Sequence, residues 1–359
     1  MGPHVRHAAG HLSGAPLKPW GATGSRAFRI ALLLLPLGVL GNIAYTLLGT
    51  DRAILDSVGT LPKGYLLAAL GLTLVPWLTN GLRLLIWTRF LGLGVPIIDV
   101  VRMTLVIDLG SAVSPTAIGG EAFKWGLLVR HGVRPGAAAA LALLPKLEDS
   151  IFFAVALPAA VYLTKAWRLP VIAASARVIS ENALLALVAV VVIVLVVRVM
   201  MRLMLLGHAG ERVRAWVRRA WGRLRRRLRR FWREARAVLR VIRRNGKSRL
   251  ALTVALTSVQ WIARYSVISA LALFLGVPFD PVLFWLLQYV VFTVMSFIPT
   301  PGAAGGAEVA FTAVYATLLP AGVIGIATAA WRFFTFYAPV GLAAVLFALL
   351  ERRRPTEAA

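Results

Sequence analysis

Two interruptions of strongly apolar sequence decide the fold of this chain: PTAIGGE at residues 115–121 and PTPGAAGGAE at residues 299–308. These stretches hold the only Gly-Gly pairs in the sequence. One offset of 186 residues relates four pairs of positions: Pro115 and Pro301, Gly119 and Gly305, Gly120 and Gly306, and Lys146 and Arg332. The shared offset indicates a duplicated functional element.

Proline and paired glycines cannot continue a regular helix, and lipid does not tolerate unsatisfied backbone groups. Such breaks therefore persist only where protein or a polar cavity surrounds them. Broken segments in matching positions of two halves are the best sequence indication of a transporter-type binding site. The two interruptions predict a site to which both halves contribute.

Composition indicates a polytopic helical membrane protein, because 59% of the residues are hydrophobic and the mean hydropathy is +0.78. Long apolar runs lie near residues 28–48, 64–87, 136–163, 183–204 and 250–275. The predicted fold class is all-α, with about eight spans and two short broken or re-entrant helices in an inverted repeat.

The net charge of +26 is concentrated in one segment. Between Arg212 and Arg249 there are 17 lysines and arginines against a single acid, Glu234. Apolar residues recur in this segment at three- and four-residue spacing: Val213, Val217, Trp221, Leu224, Leu228, Phe231, Ala235, Val238 and Ile242. The pattern predicts an amphipathic helix with this stripe in the headgroup boundary and its arginines on anionic lipid headgroups. A helix packed on a partner or bound to RNA is the alternative, although no nucleic-acid partner is expected.

Arginine-rich loops stay in the cytoplasm, so the basic segment and both termini are predicted on that side of a bacterial inner membrane. An odd number of crossings then separates the matching elements, which makes the repeat inverted; segments that re-enter without crossing would change this parity. The predicted division of the chain is 1–26 as a disordered leader, 27–204 as the first membrane half, 205–249 as the basic interfacial helix, 250–350 as the second membrane half and 351–359 as a basic tail.

The chain has no cysteine, and its five histidines are scattered along the sequence. Thiolate metal sites are therefore excluded, and no recognisable metal-ligand spacing is present. The sequence predicts no metal, no cofactor and no catalytic residue.

Ionisable groups at membrane depth cost at least about 2.5 kcal/mol each, so they are functional candidates by default. They cluster around the breaks, and the predicted substrate-binding set is Pro115, Gly119, Gly120, Glu121, Lys124, Lys146, Pro301, Gly302, Gly305, Gly306, Glu308 and Arg332. Asp108, Glu148 and Asp149 are candidates for proton linkage. Arg83 and Arg264, in comparable places of the two halves, are further ionisable candidates.

The chemistry at the breaks suits an anion such as a lipid phosphate. Glycines at a helix start leave backbone N–H groups free, where the positive end of the helix dipole favours negative charge. Lys146 or Arg332 on the next span would add a point charge or a bidentate fork. Glu121 and Glu308 would cap helix starts or contact cations. The alternative is that the glycines permit close helix packing and that Lys146 pairs internally with Glu121 or Asp149.

These motifs resemble the flippase-like family that shares the transmembrane region of lysylphosphatidylglycerol synthases. The first resembles Pro-x-x-x-Gly-Gly-Glu-x-x-Lys at residues 115–124, followed by a turn at 131–133 and Lys146 on the next helix. The second resembles Pro-Thr-Pro-Gly-x-x-Gly-x-x-Glu at residues 299–308, followed by Arg332 and Pro339. Lys146 stands where an arginine is usual. The chain ends at Ala359, so the aminoacyl-transferase domain of the full synthases is expected to be absent.

The resemblance implies a protein that moves lipids or lipid-linked intermediates, like stand-alone members of the family, some of which are linked to hopanoid metabolism. The hypothesis is a bacterial inner-membrane lipid transporter, or flippase, whose substrate is an anionic phospholipid or another amphipathic lipid. Two alternatives stay open: a membrane-embedded transferase that uses a lipid-linked donor, and a non-transporting lipid-binding scaffold. The sequence specifies neither the lipid nor the oligomeric state.

Overall fold

A computed structural model describes residues 58–113, 119–168, 211–298 and 300–352, with isolated positions within 41–50 and 188–199. The regular structure in these ranges is helical throughout, which confirms the all-α prediction. The predicted leader, the tail beyond residue 352 and most of the apolar runs near 28–48 and 183–204 lie outside the described residues.

The helices of the described ranges are α1 Gly64–Phe90, α2 Ile97–Val113, α3 Gly119–Arg130, α4 Pro135–Thr164, α5 Glu211–Asn245, α6 Lys247–Phe274, α7 Pro281–Met295, α8 Gly306–Tyr315, α9 Ile324–Arg332 and α10 Ala338–Arg352. A π-helical turn, Phe333–Tyr337, joins α9 to α10, so these elements form one final helix. Two helical stretches of the described chain, Gly64–Phe90 and Ala321–Leu350, are long and apolar enough to cross a bilayer. The count of about eight spans stays a prediction.

The same order of helices occurs on both sides of α5. A long helix, α1 or α6, is followed by α2 or α7, then by a break and a short helix, α3 or α8, and then by α4 or the final helix. The turns before α2 and α7 both contain Gly-Val-Pro. This order agrees with the predicted duplication, and the inverted orientation of the repeat stays a prediction.

The second break has a local backbone cause. Pro301 cannot donate the hydrogen bond that a continuing helix requires, and it begins a 3-10 turn, Pro301–Ala303. Gly302 and Gly305 follow with φ of 60° and 80°, in the left-handed region that glycine adopts readily. The chain then starts α8 at Gly306. In the first break α3 starts at Gly119, and Pro115 lies outside the described residues.

The basic segment forms α5, as predicted, but part of its apolar stripe is not available to lipid. Ala235, Val238 and Ile242 are buried in a core that they share with the first half of α4. Gly136 of α4 donates its backbone N–H to Glu234 at 3.0 Å, and a Cβ at Gly136 would overlap the α5 backbone. The prediction that the whole stripe lies in the headgroup boundary is therefore wrong for this part of α5, because the chain's own α4 buries it.

The two halves meet most extensively along α1 and α6, and they also meet where α2 packs on the final helix and where α4 packs on α6 and α7. The Thr79 hydroxyl of α1 donates to Gln260 Oε1 of α6 at 3.1 Å across the first of these contacts. Within the second half, Phe311 of α8 stacks on Trp331 of α9, with ring centroids 4.7 Å apart. This packing fixes the short helix after the second break against the final helix.

Candidate functional site

A cavity of about 460 Å³ lies between the two breaks. Gly120 and Glu121 line it from the first break, and Thr300, Gly302 and Ala303 line it from the second. Helices α1, α2, α4, α6 and α7 and the final helix supply the rest of its wall. Both interrupted segments thus face one chamber.

The wall of the cavity combines charged and aromatic side chains. Its charged residues, in the part of the chain that the structure describes, are Arg83, Asp108, Glu121, Lys146, Asp149 and Arg264. Its aromatic residues are Trp77, Phe153, Trp261, Tyr265, Tyr289, Phe292 and Phe336. Charged groups beside aromatic surface suit a ligand that is itself amphipathic.

A buried ion pair between α1 and α4 closes one side of the cavity. Arg83 is 2% exposed, and its Nη2 and Nε lie 2.5 Å and 2.7 Å from Glu148 Oε2. The other oxygen of Glu148 accepts a hydrogen bond from Trp87 Nε1 at 2.8 Å. Arg83 also donates to Gln260 Oε1 at 3.0 Å. Glu148 is fully buried and does not reach the cavity wall, so its predicted role in proton linkage has no cavity contact in the structure.

A looser group of charges surrounds Asp149, the next residue of α4. Trp261 Nε1 of α6 donates to Asp149 Oδ1 at 2.9 Å. Lys146 Nζ lies 3.8 Å from Asp149 Oδ2 and 3.9 Å from Glu121 Oε1. The internal pairing of Lys146 is therefore present, at the long end of ion-pair distances. Because Lys146 is 61% exposed, these contacts are screened and its ammonium group stays accessible.

The corresponding ion pair of the second half, between Arg332 and Glu308, is largely buried. Arg332 Nε lies 3.2 Å from Glu308 Oε1, and Arg332 Nη2 donates to the carbonyl of Gly302. The guanidinium carbon is 4.2 Å from the centroid of the Phe336 ring. Arg332 is 1% exposed and is absent from the cavity wall. Its contacts hold the second break against the final helix, and the predicted contact of Arg332 with a substrate anion stays a prediction.

Glycines at both breaks allow close approach of neighbouring elements. A Cβ at Gly120 would overlap the Ser111 hydroxyl of α2, and one at Gly306 would overlap the Ile298 side chain. A larger residue at Gly120 would require Ser111 of α2 to shift, and one at Gly306 would require the Ile298 side chain to shift. The close-packing role of the glycines is thus present together with the cavity, and the two explanations do not exclude each other.

The π-helical turn of the final helix also contributes to the cavity. Its Thr335 and Phe336 are wall residues. The carbonyl of Phe334 accepts a hydrogen bond from the Thr73 hydroxyl of α1 at 3.0 Å. A π-turn inserts an extra residue and re-aims the side chains that follow it, a device frequent at functional sites.

The sequence profile described as the lysylphosphatidylglycerol synthase TM region matches residues 27–343 of the chain. The chain belongs to this family. A UPF0104 membrane protein of Archaeoglobus fulgidus is 23% identical to it over 288 residues, which cover 77% of this chain and 84% of that relative. Membership of the lysylphosphatidylglycerol synthase TM-region family confirms the resemblance of the two motifs and makes this a membrane protein.

The remaining predicted site residues of this lysylphosphatidylglycerol synthase TM-region protein are placed as follows. Gly119 begins α3, and Lys124, 8% exposed, lies on the same helix without reaching the cavity wall. Asp108 does line the cavity from α2, where it interacts electrostatically with Arg264 and contacts Trp77. Its role in proton linkage stays a prediction.

The predicted substrate-binding set omits all five wall residues of α6: Gln260, Trp261, Arg264, Tyr265 and Val267. A signal for four of them exists in the sequence, because positions 260, 261, 264 and 265 fall on one face of a helix and all carry polar or amphipathic side chains. The motifs draw attention to the breaks instead. Only the packing of α6 on α1 shows that this face borders the same chamber.

Proposed function

We propose that this protein transports an amphipathic lipid or a lipid-linked intermediate across a bacterial inner membrane, with the headgroup held in the cavity between the breaks. The observation that supports this most is that residues from both breaks line one chamber with charged and aromatic side chains. Transporters built from repeated halves bind substrate at the repeat interface, beside broken helices.

Each break is tied to its own half. Lys146 of α4 contacts Glu121 of α3, and Arg332 of the final helix contacts Glu308 of α8. Each short helix is therefore linked to the long helix after it, while the most extensive contact between the halves is that of α1 with α6. Rocking at that contact would open the chamber first to one leaflet and then to the other.

The proposed topology has several spans, with α5 and both termini on the cytoplasmic side. The arginine excess of α5 supports this orientation, because arginine-rich segments near spans are retained in the cytoplasm. The proposal assigns no chemical reaction to the protein. Formation of a product by purified protein from a polyprenyl-phosphate sugar would contradict it and support the transferase alternative.

The cavity can be tested by filling it. Ser296 is exposed at the end of α7 and lines the cavity. In Ser296→Trp, the indole would occupy the space of a headgroup. We expect transbilayer movement of NBD-labelled phosphatidylglycerol in proteoliposomes, measured by dithionite quenching, to slow by at least about tenfold, an added barrier of about 1.4 kcal/mol.

Ser150→Trp is the matched control. Ser150 is also exposed and also hydrogen-bonds the carbonyl four residues earlier, but it lies outside the cavity wall. This variant should move the labelled lipid at the wild-type rate. Equal rates for wild type and Ser296→Trp, at equal reconstitution, would count against headgroup passage through this chamber.

We also propose that the outer face of α5 binds anionic lipid headgroups. Four exposed arginines share this face: Arg229, Arg233, Arg236 and Arg240. Leu228, Trp232 and Leu239 beside them are 47%, 58% and 46% exposed. Arginines next to exposed apolar side chains are typical of a helix at the headgroup boundary. The lipid-facing edge of α5 is thus rotated away from the residues that pack on α4.

Neutralising these four arginines with glutamine should reduce the preference of the protein for anionic lipid. Each basic residue near an anionic surface contributes about 1 kcal/mol at low salt. In nanodiscs, the enrichment of spin-labelled phosphatidylglycerol over phosphatidylcholine is expected to fall, and 1 M salt should lower the enrichment of wild type further because it screens every exposed charge. The arginine-to-lysine variant at the same positions keeps the charge and should keep the enrichment. Unchanged enrichment in the glutamine variant would refute the assignment.

A further inference from the structure

We infer that Arg264 is the residue that binds the phosphate group of the substrate, and that the cavity accepts one phosphate rather than a pyrophosphate. This inference rests on the proposed function, since it names the chemistry of the headgroup that the cavity would hold. It differs from the motif-based expectation, in which Arg332 and Lys146 hold the anion.

Three other cations near the breaks already lie within ion-pair distance of carboxylates. Arg83 forms a buried pair with Glu148, and Arg332 forms one with Glu308. Lys146 lies between two carboxylates at 3.8 Å and 3.9 Å. Among the described residues, Arg264 forms no ion pair and no side-chain hydrogen bond, although it lines the same cavity.

The surroundings of Arg264 orient its guanidinium group without occupying its donors. The guanidinium carbon lies 5.0 Å from the centroid of the Phe292 ring and 5.7 Å from that of Trp261. Contacts with aromatic faces hold the planar group but leave the N–H groups at its edge free. Those N–H groups form a fork that matches two phosphate oxygens. A charge kept without a direct ion pair in an apolar protein is costly, which favours a functional reason for its presence.

The acids around Arg264 limit the charge of the ligand. Asp108 interacts electrostatically with Arg264 from α2, and Asp149 accepts a hydrogen bond from the Trp261 indole that Arg264 contacts. A second phosphate beside the first would therefore face carboxylates, and the other cations on the described wall, Arg83 and Lys146, lie within ion-pair distance of carboxylates that would compete with it. A single phosphate diester, followed by hydroxyl or ammonium donors that the carboxylates can accept, matches this arrangement.

The test is direct binding, independent of transport. Wild type, Arg264→Gln and Arg264→Lys in an uncharged detergent are titrated with dihexanoylphosphatidylglycerol, with dihexanoylglycerol as the phosphate-free probe. We expect binding to weaken by about tenfold or more in Arg264→Gln, and by less in Arg264→Lys, which keeps the charge but loses the fork. Dihexanoylglycerol should bind equally weakly to all three. Thermal unfolding checks the fold, and Arg264→Lys keeps the test decisive if the glutamine variant does not fold.

Arg249→Gln is the matched control, because Arg249 lies on the same helix over another aromatic ring, 4.5 Å from the centroid of Phe90, and outside the cavity. It should bind the lipid like wild type. Equal affinity of Arg264→Gln and wild type, or an equal loss in Arg249→Gln, would overturn the assignment. Tighter binding of geranyl pyrophosphate than of the diester would overturn the limit to one phosphate.

Competition with inorganic phosphate distinguishes two possible ligands, the phosphate of a lipid headgroup and a free phosphate anion. If millimolar phosphate does not displace the lipid, the site recognises a headgroup attached to acyl chains; if phosphate binds as tightly as the lipid and Arg264→Gln abolishes this, the ligand is a free anion. Failure of wild-type protein to move lipid, with the Arg264 dependence of binding intact, would remove the transport proposal and leave this inference standing. Normal transport of lipid, together with binding that does not depend on Arg264, would remove this inference and leave the transport proposal standing.

Discussion

Glu148→Gln is expected to lower the free energy of unfolding by about 3–5 kcal/mol, because it leaves the buried charge of Arg83 without its main partner. Glu148 is 0% exposed and Arg83 2%. Glutamine has nearly the shape of glutamate, so the loss would come from the charge rather than from a cavity. Both guanidinium contacts to Oε2, at 2.5 Å and 2.7 Å, depend on that charge.

The measurement is equilibrium unfolding in mixed micelles, where the variant should unfold at a clearly lower denaturant concentration. Arg230→Ala is the control, since Arg230 pairs with Glu234 at 3.2 Å but is 70% exposed, and loss of an exposed pair costs about 1 kcal/mol or less. The double variant Arg83→Met, Glu148→Leu should recover much of the stability, because neither charge then stays buried. A Glu148→Gln protein as stable as wild type would show that water or another group solvates Arg83.

Gly302→Ala is the second large effect, expected at roughly 2–6 kcal/mol. A residue other than glycine at φ of 60° carries backbone strain of about 1–3 kcal/mol. The new methyl group would also overlap the Phe336 ring, and overpacking of this kind adds about 1–3 kcal/mol. Because the Gly302 carbonyl accepts from Arg332, a shift here would also disturb the ion pair with Glu308.

Two comparisons separate these contributions in the same unfolding assay. Gly305→Ala has φ of 80° but open space at its Cβ, so it should lose only the backbone part, about 1–3 kcal/mol. In a Phe336→Leu background, Gly302→Ala should lower the free energy of unfolding by less than it does in wild type, because the smaller side chain relieves the crowding. If Gly302→Ala and Gly305→Ala destabilise equally, the close approach of Phe336 contributes nothing.

The breaks were predictable because their causes are local. Pro301 lacks an N–H group, and Gly302 and Gly305 permit positive φ, so the interruption follows from residue types that lie side by side in the chain. The first-turn positions of Glu121 and Glu308 follow in the same way from the helix starts. Hydropathy likewise predicts a membrane protein, and the periodicity of the basic segment predicts the helix at α5.

Whether each charged side chain is buried and paired could not be predicted, because this depends on partners that are distant in the chain. Arg83 and Glu148 are 65 residues apart, and Trp261 and Asp149 are 112 apart. Arg332 and Lys146 occupy matching positions in the sequence, yet one is 1% exposed and the other 61%. Likewise, the α5 stripe is equally apolar along its length, and only the presence of α4 decides which part is covered.

By itself, therefore, the amino-acid sequence determined that the chain is a helical membrane protein with two matched breaks and charges gathered near them. Only the tertiary structure decided that the breaks share one chamber, that Arg332 pairs with Glu308 and that Arg264 forms no ion pair with any residue of the described ranges. The physical reason is the range of the forces. Backbone conformation and hydropathy depend on neighbours along the chain, whereas the free energy of a buried charge depends on the partners that folding brings within a few ångströms.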